Sequence, residues 1–195
     1  MKSKNMKIKD VLTVVLLSLI NIVIFGFGSL FYLTPITVLL MPVFYSLFQG
    51  IVFYVIGEKV QKRGAIFLYC IIQGVIGFNL VYIAMFLIAG LIGELIVAKM
   101  GYANHKGLGI SYVAMQLLAS IGSTIYPYAF ALEKTLENHN ATGDYLANVE
   151  KAGHMIQSWG LLGLIVGILA SAIIGAFIGH IVCNKHFKKD LAGEE

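Results

Sequence analysis

Charge is what this chain has least of. Only 12% of its 195 residues are Asp, Glu, Lys or Arg, where an ordinary soluble domain carries about 25%. With 58% hydrophobic positions, so little charge excludes a soluble globular domain and leaves one integral membrane domain. Cysteine is nearly as scarce. Cys70 and Cys183 lie far apart, inside or at the end of apolar runs, so neither a disulfide framework nor a zinc site can be read. No Gly-x4-Gly-Lys-Ser/Thr stretch occurs, and no Gly-x-Gly-x-x-Gly sits on a strand–helix unit, so the chain carries no nucleotide site and no cofactor of its own. His-Glu-x-x-His is absent, and the histidines at 105, 139, 154, 180 and 186 are scattered, so no metal is expected. No pair of carboxylates lies inside an apolar run. An intramembrane hydrolase needs such a constellation, so the chain reads as no enzyme and has no catalytic residue.

The net charge of +4 suggests nucleic acid until the basic residues are placed. They flank apolar runs, where the positive-inside bias puts them, and nucleic acid is discounted. Six runs fit spans, at about 11–33, 36–57, 65–78, 80–98, 109–132 and 159–183. The first is too long for a signal-peptide core and reads as a retained span. Twelve of the fourteen basic residues fall before span one, between spans two and three, between four and five, or after span six. Lys134 and Lys151 alone fall on the other side. The fold class expected is an all-α bundle of six transmembrane helices with both termini cytoplasmic.

Spans three and four share a stretch too short for two full crossings, which want roughly 40 residues. The Gly77-Phe78-Asn79 turn then lies below the outer interface. Non-helical backbone at that depth needs burial or a wet cavity, so the outer half is expected to be hollow. The connection 133–157 has mixed charge and reads as a lid, with Asp144 capping a short amphipathic helix that ends near Gly153. Around the hollow, Gln73, Asn79, Ser123, Tyr126, Tyr128, His154, Gln157 and Trp159 form the expected substrate-binding set, a pocket with aromatic walls and hydrogen-bonding groups. Ser120 and Thr124 fall in the same outer half. Tyr32 and Tyr82 read as interfacial belt, and Asn21 and Gln49 as interhelical hydrogen bonders.

Span six carries small residues at steps of four: Gly163, Gly167, Ser171, Gly175 and Gly179. In lipid, such a ladder lets helix backbones approach closely. It serves either bundle packing or a groove shared with a second membrane protein. Glu94 is the one acidic residue inside an apolar run, either solvated near Lys99, anchoring a neighbouring helix, or accepting from a partner's arginine. Glu58 is expected to pair with Lys62, four residues on.

Six spans, a glycine-rich last helix and no ATPase resemble the substrate-binding S component of energy-coupling factor (ECF) transporters. Met41-Pro42-Val43-Phe44, Gly90-Leu91-Ile92-Gly93-Glu94-Leu95-Ile96 and Gly101-Tyr102 are similar to the Trep_Strep (MptD-type) group. That resemblance implies capture of a vitamin-like nutrient on the outer face. It further implies docking on a transmembrane T component driven by two cytoplasmic ATPases, which use the ATP. Candidate docking residues are Ser18, Glu58, Glu94, Ser171, Gly175 and Gly179. The Ala-x-x-x-Ala pair that many S components carry in span one is missing here, where Thr13, Ser18 and Gly26 stand among bulky Val14 and Ile22. The alternatives are a stand-alone facilitator or channel, and a structural membrane protein.

Overall fold

The computed structural model describes residues 5–77, 79–138 and 143–191. Among them there are helices and no strands. Helix α1 (Ile8–Gly26) tightens into a 3-10 segment at Phe27–Leu33, followed by α2 (Pro35–Lys59), α3 (Ala65–Ile76) and α4 (Leu80–Met100). Helix α5 (His105–Ser120) widens into a π-helical segment at Ile121–Phe130. Two short helices, α6 (Leu132–Asn138) and α7 (Asp144–Met155), lead through a π turn at Ile156–Gly160 into α8 (Leu161–Leu191). Five of these segments are long and apolar enough to cross a membrane, and Ala65–Ile76 is apolar but shorter. At 1.5 Å per residue α3 reaches only about 18 Å.

Local chemistry sets several boundaries. Thr34 precedes α2 in extended conformation and accepts from the Thr37 amide at 3.2 Å, while Thr37 Oγ1 accepts from the Thr34 amide at 3.0 Å. Pro35 follows at the first helical position, where no N–H is missed. Asn79 caps α4 by accepting from the Val81 and Tyr82 amides at 2.9 and 3.3 Å. Gly64 starts α3 at φ 92°, a left-handed conformation that costs glycine nothing.

The ladder helix packs parallel to α2. Gly167 faces Val43, Gly175 lies on the Ser46 and Leu47 carbonyls, and Gly179 lies on Gly50. A Cβ at Gly179 would stand 2.6 Å from the Gly50 carbonyl oxygen, so the two backbones touch. Gly163 differs, with nothing within 4 Å. The opposite face of α8 exposes Leu162, Val166, Ile173 and Phe177, and α1 exposes Leu16, Leu19 and Val23. Apolar exteriors of this extent are covered by lipid rather than water.

The connection expected to be a lid is helical on both sides of residues 139–142, which lie outside the described part, as does Phe78 of the expected turn. Helix α7 starts at Asp144, with Gly143 rather than Asp144 in the capping position, and continues into α8. Val149, Ala152 and Ile156 pack with Val38, Tyr128, Leu132, Leu164 and Ile168 in a core of their own. The Asn148 side-chain amide donates to the Tyr32 and Leu33 carbonyls, each at 3.0 Å, and pins α7 to the end of the first helix.

Candidate functional site

A cavity of about 420 Å³ opens among α1, α2, α4 and α5, beside Gly77 and Asn79. Its volume falls in the range of about 300–1,000 Å³ typical of small-molecule sites. Phe25, Tyr45, Tyr82 and Phe86 supply aromatic surface, and Gln49, Gln116, Ser120, Ser123 and Thr124 supply polar groups. Among the described residues, no Asp, Glu, Lys or Arg lines it.

Glycines seat the walls. A Cβ at Gly28 would strike the Tyr45 hydroxyl, one at Gly77 would strike the Tyr82 ring, and one at Gly122 would stand 2.9 Å from the Tyr82 Cα. Tyr45 stacks on Phe25 with centroids 5.6 Å apart and donates its hydroxyl to the Phe25 carbonyl at 3.1 Å. Pro42 sits inside α2 and lines the cavity, as do Met41 and Ser46.

The π-helical stretch of α5 aims its polar residues inward. Tyr112, Gln116, Ser120, Thr124 and Tyr128 recur at steps of four, and all are buried. In a regular α-helix each step of four over-rotates by about 40°, so the row would drift off the cavity. The wider π turn, with i→i+5 hydrogen bonds, brings it back.

Three of the expected binding residues line the cavity: Asn79, Ser123 and Tyr128. The other five do not. Gln73 is buried between α1 and α3, and its amide donates to the Ser18 carbonyl at 3.5 Å. Tyr126 and Trp159 point outward, 41% and 73% exposed. Gln157 donates to the Tyr128 and Ala129 carbonyls at 3.4 and 3.3 Å, where it holds α7 against the end of α5. His154 lies in the open, 3.9 Å from Glu150. Conversely, Tyr32 and Tyr82, read as belt, line the cavity, and so do Gln49, Gln116 and Tyr45. The signal for Gln116 was present in the sequence as the polar row at steps of four from Tyr112 to Tyr128.

The other end of the bundle has a packed core, with a shallower apolar groove of about 710 Å³ on its outside between α5 and α8, beside His105 and His180. Phe53, Ile56, Ile66, Tyr69, Leu108 and Met115 are all buried in that core. Its charges are held by the protein itself. Lys62 pairs with Asp10 at 2.7 Å rather than with Glu58, and Glu58 lies 2.9 Å from His105 Nδ1 instead. Glu94 accepts from the Gly64 amide at 2.6 Å, the Phe67 amide at 3.3 Å and the Tyr102 hydroxyl at 2.6 Å. Its carboxylate therefore caps α3 from a neighbouring helix, where negative charge suits the helix dipole. Burial, and then the hydrogen bond to Glu94, raise the Tyr102 phenol above its ordinary pKa.

The expected docking residues fall mostly within the fold. Ser18 is fully buried, and its hydroxyl finds no acceptor among the described residues. Ser171 is buried and donates to the Ile168 carbonyl at 3.0 Å. Gly175 and Gly179 are in backbone contact with α2. Asn21 does join helices, donating to the Tyr69 hydroxyl at 2.6 Å in a fully buried setting.

Long apolar helices with a lipid-suited exterior, folded around an uncharged cavity, define an integral membrane protein with several spanning helices. A family described as a hypothetical bacterial integral membrane protein (Trep_Strep) matches residues 8–189. The chain belongs to that family. No curated protein and no solved structure gives a match.

Proposed function

We propose that this protein is the substrate-capture subunit of an ATP-driven uptake system of the ECF type. It would bind a small, uncharged nutrient in the cavity and pass it inward after docking on a T component served by two ATPases. The observation that carries this reading is the cavity itself: sized for a small molecule, walled by aromatics, uncharged, and confined to one end of the bundle. The asymmetry of basic residues makes that end extracellular and both termini cytoplasmic, with α3 as the short sixth span. The chain has no nucleotide motif, so energy must come from another subunit.

A facilitator or channel would need a path through the other half. Below the cavity, Phe53, Tyr69, Tyr112 and Met115 are fully buried in a packed core, which favours capture over conduction. Of the connection read as a lid, α6 contributes Thr135 to the cavity lining, while α7 packs beside it on Val38 and Tyr128. Two measurements test the reading. Purified protein should bind a compound recovered from a metabolite extract, and in liposomes without ATPases it should give no net uptake of that compound. Uptake without any partner would overturn the proposal in favour of a facilitator.

A further inference from the structure

The floor of the cavity carries a hydrogen-bonding pattern whose orientation is fixed by one carbonyl. The Ser46 carbonyl can only accept, and the Tyr112 hydroxyl donates its single proton to it at 2.7 Å. The Tyr112 oxygen is thereby left as an acceptor, so Gln116 must present its nitrogen there, at 2.8 Å. The second N–H of that nitrogen reaches Gln49 Oε1 at 3.1 Å. Both amides are now assigned by the network and not by choice.

Two groups are left over, Gln49 Nε2 with its N–H donors and Gln116 Oε1 with its lone pairs. Neither has a protein partner among the described residues. The two side chains are 5% and 4% exposed, and both line the cavity. Neither atom is sealed off from it, unlike the enclosed hydroxyls of Ser18 and Ser111. Polar groups set this deep in a protein are normally hydrogen-bonded, so the floor suits something that supplies the partners.

We infer that the cavity takes an uncharged, planar N-heterocycle through a lactam edge, a ring carbonyl beside a ring N–H. The carbonyl accepts from Gln49 Nε2, and the ring N–H donates to Gln116 Oε1. An amidine edge offers the same pairing of adjacent donor and acceptor and belongs to the same class. The two amides are hydrogen-bonded to each other, so the free donor and the free acceptor belong to neighbouring side chains of one cavity lining. The aromatic walls of Tyr45, Tyr82 and Phe86 suit a flat ring. With no charged side chain in the lining, a carboxylate or ammonium group on the ring would have no counter-ion. This inference rests on the capture reading and narrows it.

The test uses the full chain in lipid nanodiscs, titrated with uracil and 2-pyridone and with their blocked forms, 1,3-dimethyluracil and 1-methyl-2-pyridone. The unblocked compounds should bind, and N-methylation should weaken binding about tenfold or more, the effect of one lost buried hydrogen bond. Gln116→Met, which removes the acceptor for the ring N–H at similar volume, should erase that preference. The native-protein series decides the matter even if the variant does not fold. Equal binding of blocked and unblocked forms would overturn the lactam inference and leave capture standing. So would an extracted ligand without an adjacent donor and acceptor. If neither the probes nor any component of a metabolite extract binds, the capture reading falls, and this inference with it.

Discussion

The two ends of this bundle treat polar groups in opposite ways. At the end holding the Gly64 turn, each carboxylate is used by the protein: Glu94 on the start of α3, Glu58 on His105, Asp10 on Lys62. At the cavity end charge is absent from the lining, and amide groups of Gln49 and Gln116 are left without protein partners. The carboxylates at the first end lie against other groups of the fold. A group held ready for a ligand is buried, oriented and left open. The contrast separates structural polar residues from binding ones more cleanly than residue type does, because Gln73 and Gln157, which look equally suitable, are both engaged with backbone carbonyls.

The largest test of this contrast lies along α8. Gly175→Leu drives a side chain into the Ser46 and Leu47 backbone, and overpacking of that kind costs about 3 kcal/mol or more. Loss of monodisperse protein in size-exclusion chromatography is expected. Gly163→Leu, on the same helix but facing open space, should shift stability by less than about 0.5 kcal/mol. Similar behaviour of the two would mean that α2 and α8 do not pack as described. Next in size is Glu94→Gln, which weakens charge-assisted bonds to the Gly64 and Phe67 amides. After allowance for solvent screening it should cost about 1–2 kcal/mol. The melting temperature should fall while ligand affinity holds, and a loss of affinity instead would join the two ends that the comparison sets apart.

Smaller effects probe the cavity. Ser123→Val adds apolar bulk to its lining and should weaken ligand binding about tenfold, with little change in thermal unfolding. An unaltered affinity would remove Ser123 from the site. Smallest of all is Trp159→Phe. The indole is 73% exposed and away from the lining, so binding measured by calorimetry should change less than about twofold.

Much of the architecture was legible because the bilayer imposes it. Apolar runs, lysine placement and the shortness of the stretch between Ala65 and Ala98 led to helices, their ends and a hollow near Asn79. The anchor reading of Glu94 was among those the sequence offered, although solvation near Lys99 competed with it. What could not be read was helix phase. Tyr126 was expected inside, and that expectation fails where the π-helical segment resets the inward face of α5; Tyr82, on α4, was expected outside and instead lies in the cavity wall, against Gly77 and Gly122. A periodicity of 3.6 assumes that every turn is alike. Gln49 was recognised as a hydrogen-bonding group between helices. That it also lines a cavity depends on Tyr112 and Ser46, which meet it only in three dimensions.

The contact between α2 and α8 also bears on how the chain is made. The groove on α2 around Gly50 is shaped to receive Gly175 and Gly179, yet α8 leaves the ribosome after every other described helix. Until then that groove faces lipid or a chaperone, and the floor of the cavity, which α2 helps to form, lacks its backing. Nascent chains that stop before α8 therefore present a defect running along one helix, a mark by which membrane quality control could tell an unfinished molecule from a finished one.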